Sequence, residues 1–164
     1  MIVLVRVDNR LLHGQILEAW IPRLRAERVI VADDEAADSP LAQAAMCLCI
    51  PPDLSVEIRP VRDIDYLQLA ADPARSVVLL REVSDLSRAH ASGLSARIAP
   101  TVNVGNVHFS SGRHPVTPSV FLSGGEVQAL RALTGDGFAV EARAIPAEPP
   151  TGMDEIERRY AAAH

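Results

Sequence analysis

A chain of 164 residues with a formal net charge of −5 can bury one sizeable core, and it is too acidic for a general binder of nucleic acid or anionic membranes. No apolar run approaches the roughly 20 residues that span a bilayer, and the N-terminus lacks the pattern of a signal peptide, so one cytoplasmic domain over residues 1–164 is expected. Lysine is absent, which excludes a P-loop and Schiff-base chemistry, both of which need that side chain.

The apolar run 2–7 reads as a first strand. It empties into Asp8-Asn9-Arg10-Leu11-Leu12-His13-Gly14-Gln15, and a helical pattern follows over 15–25, where Pro22 predicts a kink or an early stop. Further β-branched runs at 28–32, 55–59, 76–80 and 101–104 alternate with helical patterns at 37–48, 64–71 and 83–91. Such alternation predicts an α/β fold: a doubly wound, mostly parallel sheet with helices on both faces. Cys47 and Cys49, two apart on a helix, point to opposite faces and are expected to be buried, reduced thiols. Residues 106–119 read as a long loop or short hairpin, and 120–122 as a short strand. Ser123 caps a helix near 125–133, with Glu126 at the capping-box position. Residues 138–145 alternate apolar and polar, which predicts an antiparallel edge strand near the C-terminus. Residues 146–152 read as a loop and 153–163 as a terminal helix.

In an open parallel sheet, ligands bind beyond the carboxyl ends of the strands, and the first turn lies there. An imidazole such as that of His13 can take a phosphoryl group and pass it on, although a histidine in a turn is otherwise a solvated side chain. Gly14 lets a backbone come close, and free N–H groups at the helix start can hold phosphate oxygens. Arg10 offers a guanidinium for those oxygens, or else a surface ion pair worth about 0–1 kcal/mol. Asp8 can fix which imidazole nitrogen reacts, or simply satisfy its own turn. Gln15 can cap the helix or line the site. Arg6, inside the strand pattern, either snorkels to the sheet edge or binds a carboxylate beneath the site. Asp33 and Asp34 either cap the following helix or brace the active turn from behind. Asn103 and Gly105 end the fifth strand on the edge that carries His13. His108 and His114, six apart with no nearby carboxylate or cysteine, make poor metal ligands, and no metal or cofactor is expected.

The stretch from Arg6 to Gln15 resembles the active-site segment of IIB subunits of the mannose/fructose/sorbose family of the bacterial phosphotransferase system, usually R-(I/V)-D-(D/N)-R-L-(I/L)-H-G-Q. Residues 31–37, 103–106 and 137–146 resemble further family segments in the same order. The resemblance implies an α/β sandwich in which His13 takes a phosphoryl group from a phosphohistidine on a IIA partner. His13 then gives it to a sugar entering through membrane IIC and IID subunits, which hold the chain at the inner membrane face. Arg10 and Asp8 join His13 as catalytic residues in that reading; Gly14, Gln15 and Arg6 contact the transferred group, with Asp33, Asp34, Asn103 and Gly105 behind them. A regulatory phosphoacceptor using the same histidine is the alternative. A receiver-like aspartyl phosphate at Asp33 or Asp34 ranks last, because that chemistry uses a lysine. The sugar is not legible, and self-association is left open.

Overall fold

The computed structural model describes residues 1–163. Strand β1 (Ile2–Asp8) leads through a π-helical turn (Ile16–Trp20) into α1 (Ile21–Leu24) and β2 (Arg28–Ala32). Then come α2 (Asp34–Ala37), α3 (Pro40–Cys47), β3 (Ser55–Arg59), α4 (Tyr66–Ala71) and β4 (Ser76–Leu80). Helix α5 (Val83–Ala91) precedes β5 (Thr101–Asn106), and β6 (His114–Thr117) pairs with β7 (Val120–Leu122) in a separate antiparallel hairpin. The chain ends in α6 (Gly124–Gly135), β8 (Ala139–Ala142), β9 (Thr151–Gly152) and α7 (Met153–Ala162).

The main sheet runs β3-β2-β4-β1-β5-β8-β9, parallel throughout except for β9. Alternation along β1 sends Val5 and Val7 to one face and Leu4 to the other, each into its own apolar cluster. The steps from β1 to β2 and β2 to β3 cross on the Leu4 face, under Trp20, Ile21, Ala36 and Met46. The steps to β4, β5 and β8 run the opposite way and cross on the Val5 face, under Tyr66, Leu86 and Leu130. Right-handed crossovers require this division of faces. Because the chain leaves β1 and β5 in opposite directions, the carboxyl ends of these adjacent strands form a topological switch point, with Asp8 opposite Asn106.

Three expectations are corrected. The strand read at 138–145 is the shorter β8, which runs parallel to β5 because α6 carries the chain back across the sheet before it pairs. The antiparallel edge is β9, two residues inside a segment read as loop. Cys47 and Cys49 are exposed: no residue of α3 is buried, and only Met46 and Ile50 of this segment reach the underlying cluster. The helix read over 15–25 opens into the π-helical turn just ahead of Pro22, which takes a first-turn position of α1 where a missing N–H is tolerated. Among the described residues, no helix is long and apolar enough to cross a membrane.

Exposure of both thiols is open to direct titration. A thiol-disulfide reagent should modify two cysteines per chain without denaturant; reaction only after unfolding would show that α3 is covered in solution.

Candidate active site

The even-numbered positions of β1 face the side of the sheet that carries Trp20, so Arg6 and Asp8 follow Leu4 there, at the carboxyl end where the apolar layer stops. Both are wholly buried. All five Arg6 N–H donors are used: two toward Asp8 Oδ2 (3.3 and 3.1 Å), one to Asn103 Oδ1 (2.6 Å), and one each to the carbonyls of Arg143 (2.9 Å) and Ala144 (3.0 Å). The guanidinium lies 5.2 Å from the Trp20 ring centroid, and Arg143 lies 5.5 Å from the same ring. Trp20 also donates its indole N–H to the Ala144 carbonyl at 3.0 Å. Gly105 is glycine for a steric reason: a Cβ there would fall on the Arg6 guanidinium.

Asp8 collects donors from both sides. Its Oδ1 accepts from the Arg10 backbone (3.0 Å) and Arg10 Nε (3.2 Å), and its Oδ2 accepts from Arg10 Nη2 (3.2 Å) as well as Arg6. His13 Nε2 lies 3.0 Å from Oδ2. Burial pushes this carboxyl upward, but hydrogen bonds from His13 and Arg10, with the charge of Arg6, outweigh it and hold Asp8 far below the usual carboxylate range. Burial pulls Arg6 below its ordinary value against the opposing effect of Asp8; as an arginine it remains charged.

The remaining imidazole nitrogen, Nδ1, accepts the Gln15 backbone N–H at 3.2 Å. A carboxylate on Nε2 and an amide N–H on Nδ1 select the tautomer protonated at Nε2. The turn is held by Leu11, whose φ of +56° places a non-glycine residue in the left-handed region while its side chain is buried in the core. Arg10 is 38% exposed and His13 17%, and Arg10 also donates to Gln15 Oε1 at 3.0 Å. In front of Gly14, a Cβ would meet nothing within 4 Å. Two surface cavities, one lined by Arg28, Arg59 and Asp72 and the other by Arg131, Met153 and Arg158, both lie away from His13.

Residues 2–163 match the PTS system sorbose subfamily IIB component. The chain belongs to this family of phosphotransferase-system IIB components. It is 29% identical to the N-acetylgalactosamine-specific phosphotransferase enzyme IIB component 2 of Escherichia coli K12, covering 94% of this chain and 98% of that one. The mannose-specific EIIAB component of E. coli K12 is 25% identical over 93% of this chain and 47% of its own length. The IIB domain of the sorbose permease of Klebsiella pneumoniae shares the fold, with a TM-score of 0.83 at 23% identity over 96% of this chain and 97% of that one.

Within this IIB chain the residues picked from the sequence divide. Asp8, Arg10, His13, Gly14 and Gln15 meet at one point, and Arg6, Asn103 and Gly105 form the layer beneath. Asp33 caps α2 through Ala36 N–H and pairs bidentately with Arg81 (3.0 and 2.7 Å). The Arg81 carbonyl in turn accepts from the Asn9 side chain at 2.7 Å, so Asp33 braces the active turn from a distance. Asp34 does not belong to the site: it is exposed and ties Val61 N–H and Arg88 instead. Sequence reasoning missed Asn9 as a bridge, Trp20 as a platform and Arg143 as its second cation. The sole available signal was a lone tryptophan in an aromatic-poor chain. Among the described residues, no group of three or more His, Cys, Asp or Glu is placed to hold a metal ion.

Two stability measurements probe this layer. Gly105→Ala must displace Arg6, so it should cost about 1–3 kcal/mol, as overpacking does, and shift the emission of Trp20; unchanged melting and emission would show that the layer is soft. Asp8→Asn leaves Arg6 buried without its counter-charge and should cost about 3–5 kcal/mol at neutral pH. Because the folded-state value of Asp8 is depressed, its stabilisation is complete above the unfolded value near about pH 3.9 and fades as pH falls further. In urea titrations the gap between wild type and variant should therefore narrow below about pH 4; a constant gap would mean that Asp8 does not titrate as described.

Proposed function

We propose that this IIB component is a phosphocarrier that takes a phosphoryl group on His13 Nδ1 from a phosphohistidine on a IIA partner and passes it to a sugar. The observation that carries the reading is the pairing of His13 Nε2 with the buried Asp8 carboxylate, which leaves Nδ1 as the nucleophilic nitrogen. In the first step a nitrogen–phosphorus bond on the donor breaks as one forms at Nδ1, and the Nε2 proton stays on its hydrogen bond to Asp8. The positive charge that develops on the ring is met by that carboxylate. The Gln15 N–H, which Nδ1 gives up on reacting, turns to a phosphoryl oxygen, and Arg10 supplies a mobile guanidinium for the others. In the second step the sugar hydroxyl oxygen attacks phosphorus as the Nδ1–phosphorus bond breaks and its electron pair returns to Nδ1; the hydroxyl proton passes to solvent, and His13 is back in its starting state. No metal or nucleotide enters either step.

Residues 1–164 act as one IIB domain in this reading. Membrane IIC and IID subunits deliver the sugar and hold the chain at the cytoplasmic face. The name of the EIIAB relative, half of which this chain covers, supports a IIA partner. Neither of the two cavities described above is lined by His13, which supports protein partners over a small ligand enclosed in a pocket.

Labelling from phosphoenolpyruvate through the general phosphotransferase proteins and a cognate IIA is the test. Wild type should carry acid-labile phosphate and His13→Ala none; label that survives the change would sink the reading. Arg10→Ala should keep the melting temperature and slow transfer about 10²–10³-fold, the scale for losing one charge-stabilising donor, whereas an unchanged rate would reduce Arg10 to an ion pair.

A further inference from the structure

Phe109 stands 70% exposed on the loop between β5 and β6. Exposed apolar side chains usually sit on mobile segments or single surface positions, but this one is held from several directions. The neighbouring His108 donates its backbone N–H to Asn9 Oδ1 at 2.6 Å, and its ring lies 2.8 Å from Asn106 Nδ2. Arg113, only 14% exposed, donates to the His108 carbonyl at 3.0 Å from its side chain and to the Ser110 carbonyl at 3.0 Å from its backbone. Its guanidinium is itself clamped by Glu126 (2.6 Å) and Glu82 (2.8 Å), at the starts of α6 and α5. Gly112 closes the turn with a φ of +84°, and the Phe109 ring packs edge-on against Phe121 at 5.9 Å. The loop is thus locked with its aromatic outward.

The lock engages the active turn itself. Asn9, which holds His108 through Oδ1 and Arg81 through Nδ2, lies between Asp8 and Arg10 in sequence, and those residues hold His13 and each other. A protein that delivers a phosphoryl group must bring its phosphorus into bonding distance of His13. Specific interfaces cover about 800 Å² per partner, so its footprint extends over the adjoining turns. Arg10, 38% exposed and on the same carboxylate as His13, supplies a guanidinium for an incoming phosphoryl group, while Phe109 supplies an apolar point already fixed in place. Fixed aromatic side chains of this kind dominate interface energetics, because little freedom is lost when they are covered.

We propose that Phe109 is the apolar anchor for the phosphoryl donor, a phosphohistidine-bearing protein with an apolar depression beside its histidine. The proposal rests on His13 as acceptor and adds a determinant of which donor is accepted. The test compares wild type, Phe109→Ala, Phe109→Leu and, as a remote exposed control, Leu67→Ala. Initial rates of label uptake are measured against the concentration of cognate IIA, phosphorylated from phosphoenolpyruvate, and in parallel with phosphoramidate, which requires no protein contact.

Phe109→Ala should raise the IIA concentration at half-maximal rate at least tenfold. Its uptake from phosphoramidate should stay at the wild-type level, Phe109→Leu should fall between, and Leu67→Ala should match wild type. An unchanged half-maximal concentration overturns the anchor. So does an equal loss with phosphoramidate, which would mean damage to the His13 turn, or a loss confined to delivery onto sugar in vesicles carrying the membrane subunits. Wild type that takes no label from either donor, or label that persists in His13→Ala, removes the phosphocarrier reading itself and is distinguishable from all of these.

Discussion

The buried Arg6–Asp8 pair is the constraint on which the rest of the site depends. Taking two charges out of water is costly, and a pair in this position persists only when every remaining donor and acceptor is met. That demand explains features that otherwise look unrelated: Asn103 buried between the two valines of β5, Gly105 beneath the guanidinium, the Arg143 and Ala144 carbonyls turned inward, and the Trp20 ring beside Arg6. The same pair fixes Asp8 in position and in charge, and Asp8 fixes His13. The histidine is thus positioned from the sheet upward, through bonds that cross β1, β5 and the segment after β8.

Topology decides where such a network can exist. In the interior of the sheet both faces of each strand are covered by apolar side chains, as in β4, where all five residues are buried. Only past the carboxyl ends does the layer open, and only between β1 and β5 do the two chain directions part and leave a crevice. The π-helical turn begins at Ile16, three residues after His13. Such turns often mark functional positions, and this one places Trp20 under the crevice where an uninterrupted α-helix would aim that side chain elsewhere.

Much of this was legible because it is local. The apolar run ending in Asp8, the spacing of Arg10 and His13, and the alternation of strand and helix patterns all lie within short windows, where periodicity and turn chemistry act directly. Of the two roles open to Arg6, binding a carboxylate is the one realised, but its other partners stand 97 and 137 residues away, beyond any local pattern. Asp33 and Asp34 look alike in sequence, and burial alone separates them: Asp33 is buried against Arg81, whereas Asp34 faces solvent. Cys47 and Cys49 defy the general burial of free cysteine because a short outer helix over an edge strand has too little sheet beneath it to cover both its faces. The alternation over 138–145 predicts a solvated edge, yet Glu141 of β8 and Arg143 just after it face the Arg6 network.

Two arginines share the Asp8 carboxylate, and their burial assigns them different work. Arg6 is wholly enclosed, so parting it from Asp8 would strand a charge and cost about 3–5 kcal/mol. Arg10 is 38% exposed, and pairs so close to solvent contribute only about 0–1 kcal/mol. Under the proposed chemistry, Arg10 can therefore leave the carboxylate for an incoming phosphoryl group at little expense, while Arg6 keeps Asp8, and through it the imidazole, in place. A carrier that must accept a group and release it within one cycle needs both behaviours at one carboxylate. An equally buried Arg10 would hold the phosphoryl group poorly, because it could not leave Asp8. An equally exposed Arg6 would let the carboxylate follow the departing cation and lose the orientation of His13.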